Sequence, residues 1–413
     1  MVPSASPHPV LTGCGAVSPF GAGVDAFWDG LLSGRSALAP VRGFETADLA
    51  PALACEVPPG SVTAWLDGAE IARLERIEQY ALAAAREALA DAGLDLARLD
   101  RASVAVVMGT TLGAMSIGED YLRARCDGSA FAARRLLRMP YAATATRLAR
   151  ALGVRGPVMS PSVACASGTH AVGLARELIQ LGHAEVVIAG GAEALCHFVV
   201  AGFNALKATT STAVRPFDVR RDGLALGEGA AVVVVESAAH AARRGAAAPV
   251  EVAGCGLSGD AVHMTAPARD GAGAARAIRA ALADAGMTAS DIDLISAHGT
   301  GTVYNDAMEM VAVRAVCGAA TPRVPVSGIK GAIGHTLAAA GAFEAIACAR
   351  MLREQVVPPT AGCEELEPDC PLDVVRGARR AVAARTALST SSAFAGHNAA
   401  IVLRRAAAHF GAW

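Results

Sequence analysis

Three short stretches of the chain hold residue types that can run covalent chemistry together. The first is Ser162-Val-Ala-Cys-Ala-Ser-Gly-Thr-His170. Cys165 follows a strand-like run and stands at the start of a helix expected over 166–181. The free N–H groups and dipole of a helix N-terminus favour a thiolate. The small neighbours suit a tight strand-to-helix turn that exposes a nucleophile. The ordinary alternative is a buried cysteine with no reaction to perform, and the local pattern argues against it.

The second stretch is His298-Gly-Thr-Gly-Thr302, which follows a short apolar strand. Its glycines can serve as a plain loop. They can equally let a slender substrate arm approach the backbone, with Thr300 or Thr302 as hydrogen-bond donors. The third is Ser327-Gly-Ile-Lys-Gly-Ala-Ile-Gly-His335, with His335 opening an Ala-rich helix expected over 336–350. Asp306 and Glu309 lie close by in sequence, and one of them is expected to hold Lys330 or orient a histidine. A fourth loop, Ser391-Ser-Ala-Phe-Ala-Gly-His-Asn398, offers backbone N–H groups and a lone aromatic, Phe394, placed to act as a gate. His397 has no evident partner there and reads as structural.

The elements that must position these groups form a disguised repeat. Ala88-Leu-Ala-Asp-Ala-Gly93 recurs letter for letter as Ala281-Leu-Ala-Asp-Ala-Gly286, each ending an Ala-rich helix at a glycine stop. Each is followed by a polar linker and an apolar strand, Val104–Met108 in one case and Leu294–Ala297 in the other. Val10-Leu-Thr-Gly-Cys-Gly15 resembles Val252-Ala-Gly-Cys-Gly256, and Pro157-Val-Met-Ser160 pairs with Pro325-Val-Ser327. Gly229–Val235 resembles Asn398–Leu403. Such a period implies two α/β halves, 1–247 and 248–413, each with a mostly parallel sheet covered by helices. A site between duplicated halves belongs where strand ends from both converge. Cys165 follows one strand, His298 follows the partner of another, and Lys330 and His335 follow a third. All four are thus directed to one locus.

Composition narrows the class. The 413 residues carry a formal net charge of −2, which argues against a nucleic-acid binder. Hydrophobic residues make up 53% and aromatics only 4%, so the core is aliphatic. The start, Met1-Val-Pro-Ser-Ala-Ser-Pro-His-Pro, lacks a basic segment followed by an apolar one, and no apolar run approaches a membrane span. The ten cysteines show no metal-ligand spacing and no CxxC pair. A cytoplasmic protein with reduced thiols and no metal is expected. Of 36 basic residues only Lys207 and Lys330 are lysines, which marks each as a candidate for work arginine cannot do.

Together these segments resemble an elongating β-ketoacyl-[acyl-carrier-protein] synthase. The likeness runs from Val10 to about Arg405. It takes in Thr12-Gly-Cys-Gly-Ala-Val-Ser-Pro19, Ala164-Cys-Ala-Ser-Gly168, Arg215-Pro-Phe-Asp218, Arg221-Asp-Gly223, Gly227-Glu-Gly229 and His263-Met-Thr-Ala-Pro267. The His-Gly-Thr-Gly-Thr and Lys330…His335 segments complete it. The resemblance implies a thiolase fold, with five αβαβα layers. It implies Cys165 as the acyl-accepting nucleophile, His298 and His335 as the pair assisting malonyl decarboxylation, and Lys330 with Glu309 as their supporting pair. The N–H groups of Cys165 and Phe394 resemble the oxyanion hole. Thr265, Thr300 and Thr302 resemble contacts to pantetheine, and Leu112 and Phe203 resemble acyl-pocket positions, with Phe394 as gate. The substrate's phosphopantetheine arrives on an acyl carrier protein, and no further cofactor is implied.

The chain departs from the family pattern in four places. Gly331 stands where Ser is usual, Ala393-Phe-Ala-Gly396 replaces a glycine-richer loop, Val303 and Tyr304 follow the Thr302 loop, and the stretch between Thr210 and Arg215 is short. The short loop and His298-Gly-Thr-Gly-Thr302 resemble ketosynthases of type II polyketide or aryl-polyene pathways more than housekeeping fatty-acid enzymes. A thiolase would need a second cysteine near the C-terminus, and none lies beyond Cys370. A non-catalytic chain-length-factor-like partner would lack Cys165. The expected partners are an acidic carrier protein, met by Arg134, Arg135, Arg138 and Lys207, and a second subunit, either an identical copy or a chain-length-factor-like homologue.

Overall fold

The computed structural model describes residues 9–406; the Met1–His8 start and residues 407–413 lie outside the described residues. The first half runs β1 (Pro9–Ser18), α1 (Arg76–Asp91), β2 (Val104–Gly109), β3 (Val158–Met159), α2 (Ser167–Gln180), β4 (Val186–Glu193), α3 (His197–Ala205) and β5 (Gly229–Ser237). The second runs β6 (Val250–Gly259), α4 (Ala272–Asp284), β7 (Leu294–Ser296), α5 (Val303–Cys317), β8 (Pro325–Ser327), α6 (Ala340–Glu354), β9 (Asp373–Val374), β10 (Thr386–Ser392) and β11 (His397–Arg405).

The repeat seen in the sequence is a repeat of topology. Strand order is β3-β2-β4-β5-β1 in one half and β8-β7-β10-β11-β6 in the other, with β9 added beyond β8. The halves join where β1 meets β6 antiparallel, at Val10↔Glu251 and Leu11↔Val250. The sheets are mixed rather than mostly parallel. The pairs β2/β3, β2/β4, β7/β8 and β7/β10 are parallel, but β4/β5, β5/β1, β10/β11 and β11/β6 are antiparallel. The tight turn at Phe394–Gly396 joins β10 to β11, and a hairpin connection of that length permits only the antiparallel sense.

The letter-for-letter repeats have a mechanical cause. A Cβ on Gly13 or Gly15 would lie 2.2 and 1.9 Å from the Ala88 and Ala84 carbonyl oxygens of α1. A Cβ on Gly254 or Gly256 would lie 2.2 and 2.1 Å from those of Ala281 and Ala277 in α4. The outer helices therefore rest directly on strand backbone. The cysteine between each pair of glycines gives its N–H to the helix aspartate, just after a shift in strand register. Asp91 takes the Cys14 N–H at 2.8 Å and Asp284 takes the Cys255 N–H at 2.9 Å. Each helix then stops at a glycine in the left-handed region, Gly93 (φ 62) and Gly286 (φ 65).

Five layers result: α1, the first sheet, α2 with α6, the second sheet, and α4. The central core draws Val107, Val172, Val187 and Val233 from the first half and Phe343, Ile346 and Leu403 from the second. Each outer helix closes a core of its own. Full burial of each such aliphatic side chain contributes about 1.5–3 kcal/mol. The fully buried valine run of β5 is what a strand covered on both faces requires. No helix among the described residues is long and apolar enough to cross a membrane.

Candidate active site

Cys165, His298, Lys330 and His335 all lie beyond the C-terminal ends of parallel strands. Cys165 follows β3, in a turn closed by its own helix. The Ser167 hydroxyl accepts the Val163 N–H at 2.9 Å and donates to the Ala164 carbonyl at 2.6 Å. Ala164 sits at φ 50, a left-handed conformation costing about 1–2 kcal/mol for a residue with a Cβ. The turn brings the sulfur to the head of α2 yet leaves Cys165 only 6% exposed.

What brings the two halves together is a crossing of helix starts. A Cβ on Gly168 would lie 2.5 Å from the Ala338 carbonyl, and one on Gly341 would lie 2.0 Å from the Thr169 hydroxyl. With no side chain at either point, the start of α2 seats against the segment leading into α6. His335 is carried by that segment, its N–H bonded to the Ala225 carbonyl at 2.7 Å.

The two histidines stand edge to face, ring centroids 5.2 Å apart. Their tautomers follow from their donors. The Lys330 ammonium can only donate, so at 3.1 Å it makes His298 Nδ1 an acceptor. The Leu337 N–H donates to His335 Nδ1 at 3.2 Å. Each ring therefore carries its proton on Nε2. Burial holds both imidazoles well below the usual histidine range, and the Lys330 charge adds to this. The pair is neutral, with both Nε2–H groups as donors.

Lys330 is 1% exposed and also donates to the His298 carbonyl at 2.6 Å. Its ion-pair partner is Glu344 of α6, not Glu309. Glu309 instead accepts the His298 N–H at 2.7 Å, the Gly299 N–H at 2.9 Å and the Thr390 hydroxyl at 2.7 Å. Asp306, one turn earlier in α5, accepts the Thr300 and Gly301 N–H groups at 3.0 and 3.1 Å. Two buried carboxyls thus hold four successive N–H groups of the His298 loop. Burial pushes the Glu309 carboxyl up to about 7, against the pull of those N–H bonds. Glu344 went unseen because it lies fourteen residues beyond Lys330, on the far side of a turn. The available signal was a lone acid inside Gly341-Ala-Phe-Glu-Ala-Ile, where a buried charge demands a partner.

The thiol differs from its sequence expectation. Burial pushes Cys165 up to about 12, outweighing the Lys330 charge that pulls the other way. Desolvation exceeds what a helix terminus returns. The N–H groups of Phe394 and of Cys165 itself both bear on the sulfur. Phe394 stacks on Phe203 at 5.7 Å and 20°, and Ala395 beside it is left-handed at φ 64.

A cavity of about 290 Å³ opens onto these groups, its wall including Cys165, Phe203, Lys207, Thr265, Thr300, Thr302, His298, His335 and Phe394. Leu112 is off that wall. It packs in an apolar cluster with Cys165, Leu195, Val199 and Phe203. Val303 and Tyr304 are on the cavity rim, and the Arg269 guanidinium lies 5.5 Å from the Tyr304 ring centroid. Gly331 is explained by crowding, since a Cβ there would meet the Ala361 carbonyl at 1.8 Å. The arginine patch does not form as expected. Arg135 pairs with Glu75 and Asp120, and Arg138 with Glu75 and Glu78, while Arg134 is exposed away from the cavity wall. Those acids lie far away in sequence, so the pairing was invisible. Of the four cations only Lys207 reaches the mouth.

Residues 9–241 match the description "Beta-ketoacyl synthase, N-terminal domain", and residues 250–364 match its C-terminal domain. The chain belongs to the β-ketoacyl synthase family. This ketosynthase is 40% identical to 3-oxoacyl-[acyl-carrier-protein] synthase 2 of Rhizobium meliloti (strain 1021), over 97% of the chain and 99% of the relative. Among solved structures it is similar to the ishigamide ketosynthase/chain length factor, with TM-score 0.92, 38% identity, and 98% and 100% of the two chains covered. It is also similar to a type II polyketide ketosynthase bound to the hexaketide, in complex with its acyl-carrier protein. There the TM-score is 0.89 and the identity 31%, over 98% of this chain and 100% of that one. The ketosynthase has the thiolase fold, and by class it is an acyltransferase.

Proposed function

We propose that this ketosynthase performs decarboxylative Claisen condensation between an acyl group held on Cys165 and malonyl-acyl carrier protein. Acyl transfer comes first: the sulfur attacks the carrier thioester carbonyl, the carrier thiol leaves, and the thiol proton passes to it. The N–H groups of Cys165 and Phe394 receive the carbonyl oxygen as it gains charge. Malonyl thioester then enters, with its pantetheine arm along Thr265, Thr300 and Thr302. Carbon dioxide departs, and the enolate oxygen accepts from His298 and His335. The carbanion attacks the acyl carbonyl, the C–S bond breaks with its electron pair on Cys165, which takes a proton from water to restore the thiol, and the β-ketoacyl carrier protein is released. No step changes oxidation state and the developing charges have donors, so the proposal needs no metal or redox cofactor.

The observation that carries this reading is the pair of neutral imidazoles, each fixed as an Nε2–H donor by a bond to its other nitrogen, beside a buried cysteine. A thiolase-type base would need an unprotonated acceptor there. Lys330 keeps the His298 tautomer, and Glu344 is the ion-pair partner that holds Lys330 in place.

We further propose a place in type II polyketide or fatty-acid synthesis, with a carrier protein docking at the mouth beside Lys207. The division into halves at 247/248 follows the repeat. A dimer, with an identical copy or a chain-length-factor-like homologue, is supported by the open edge of β3. Val158 and Met159 there are 40% and 38% exposed, and Leu137 nearby in the chain is 80% exposed. A cytoplasmic location is supported by ten cysteines that are all free.

The test is intact-protein mass spectrometry after incubation with a panel of acyl-carrier proteins. A stable acyl adduct mapped to Cys165 is expected. In Cys165→Gln condensation is lost while malonyl decarboxylation persists. Acylation at another residue, or loss of both activities together, overturns the assignment.

A further inference from the structure

Ser391 stands three residues before Phe394, near the end of β10 and opposite Ala399 of β11. Nothing in the chemistry above uses it, yet it is buried where elements of both halves meet. Its hydroxyl donates to Glu344 Oε2 of α6 at 3.2 Å. A hydroxyl has one proton to give, so the Thr169 hydroxyl of α2, 2.7 Å away, is the donor in its second bond. Thr169 belongs to the crossing of helix starts, where Gly341 has no side chain to displace its Oγ1. The bonds therefore run in one direction, from Thr169 to Ser391 to Glu344 Oε2. On the other carboxyl oxygen, Oε1, Glu344 holds Lys330. Lys330 in turn donates to His298 Nδ1 at 3.1 Å and to the His298 carbonyl at 2.6 Å.

Two buried hydroxyls can bond merely to satisfy each other. The donors and acceptors along this chain ask for more. The Lys330 ammonium has three protons, and all three are spent, on Glu344, on His298 Nδ1 and on the His298 carbonyl. Glu344 is wholly buried, and among the described residues Ser391 is the donor to its Oε2. Without that hydroxyl one oxygen of a buried carboxylate stands open, which is costly. The carboxylate relieves the cost by turning or by taking a proton, and either change weakens its hold on Lys330.

We propose that Ser391, backed by Thr169, is a positioning residue for decarboxylation: its hydroxyl locks the Glu344 carboxylate, Glu344 holds Lys330, and Lys330 fixes His298 as an Nε2–H donor. The inference rests on His298 donating to the enolate. It joins the helix that follows the nucleophile in one half to a histidine of the other by an unbroken line of hydrogen bonds. Acyl transfer to Cys165 needs no member of that line, so the two steps respond differently when it is cut.

The experiment measures carbon dioxide release from malonyl-carrier protein and acyl uptake on Cys165 side by side, in the whole protein. In Ser391→Ala, decarboxylation should fall roughly tenfold, the order of one hydrogen bond to a charged group, while acylation stays near the parent rate. Ser391→Thr keeps the hydroxyl and should recover most of the loss. In Glu344→Gln the line is already cut, so adding Ser391→Ala should cost nothing further. Thr169→Val should act in the same direction but more weakly, because Ser391 keeps its own proton for Glu344. Unchanged decarboxylation in Ser391→Ala, equal falls in both steps, or full additivity with Glu344→Gln overturns the proposal. If Ser391→Ala does not fold, Thr169→Val and Thr169→Ser decide: equal decarboxylation rates in the two overturn it. A parent protein that releases no carbon dioxide would instead sink the proposed function, and this line of bonds with it.

Discussion

Two loops occupy equivalent places in the two halves and have been put to opposite uses. One follows β2, at Thr110–Ala114; the other follows β7, at Ala297–Thr302. The first is held by a single carboxyl from a neighbouring strand, Glu193, and sets Leu112 in an apolar cluster with Cys165. The second is held by two carboxyls from its own following helix and presents His298 and two threonines to the site cavity. The strands beneath are superposable in order and sense. The framework, with its Gly-Cys-Gly strands and aspartate-locked helices, stayed in register across the duplication. The strand ends differ: one half sets Cys165 in an apolar cluster, and the other brings His298 and His335 edge to face at the cavity.

The strongest way to break that comparison is to ask whether the two uses separate. His298→Ala or His335→Ala should lower malonyl decarboxylation by about 10²–10³-fold, the usual effect of losing one preorganised donor, while Cys165 acylation changes little. Carbon dioxide release and intact mass measure the two steps. Equal losses in both would mean the halves do not divide the work. A pH corollary follows, because burial holds both imidazoles below their usual range. The decarboxylation rate should stay flat as pH falls through about 6.5, where a free histidine gains its proton, and decline only below that.

A second effect concerns stability. Lys330→Met leaves Glu344 buried without its cation, a change that typically costs about 3–5 kcal/mol. The double variant Lys330→Met/Glu344→Gln should recover much of that in urea unfolding, although not the activity. The smallest effects test the framework itself. Gly15→Ala and Gly256→Ala each force an outer helix off its strand, at about 1–3 kcal/mol. Similar costs in the two halves are expected, since the contacts replaced are nearly the same, 1.9 and 2.1 Å. A large inequality would show that one half bears more of the fold.

Much of this was legible in the sequence, and the part that was not has a common physical source. Cys165, His298 and His335 could be found because each sits in a local pattern of small residues at a strand end. The repeat could be found because a glycine and an aspartate do the same job twice. Glu344 was missed and Glu309 misassigned to Lys330, because pairing across a turn depends on which side chains share a burial site, and local spacing does not carry that. The acidity of the thiol depended in the same way on desolvation by both halves. The same holds for Arg135 and Arg138, whose partners Glu75, Glu78 and Asp120 come together only in the fold. The antiparallel strand pairs were hidden because alternation shows which face of a strand is buried, not its direction.

The crossing at Gly168 and Gly341 has a consequence for how such an enzyme can change. It is a keyed joint: two helix starts locked at close range fix the spacing of Cys165 and His335, apart from the cluster in which Leu112 packs. The alignment of reacting atoms and the dimensions of the substrate are therefore set by different parts. A change of side chain at Leu112 therefore refills the space beside Cys165 while the joint keeps its edge.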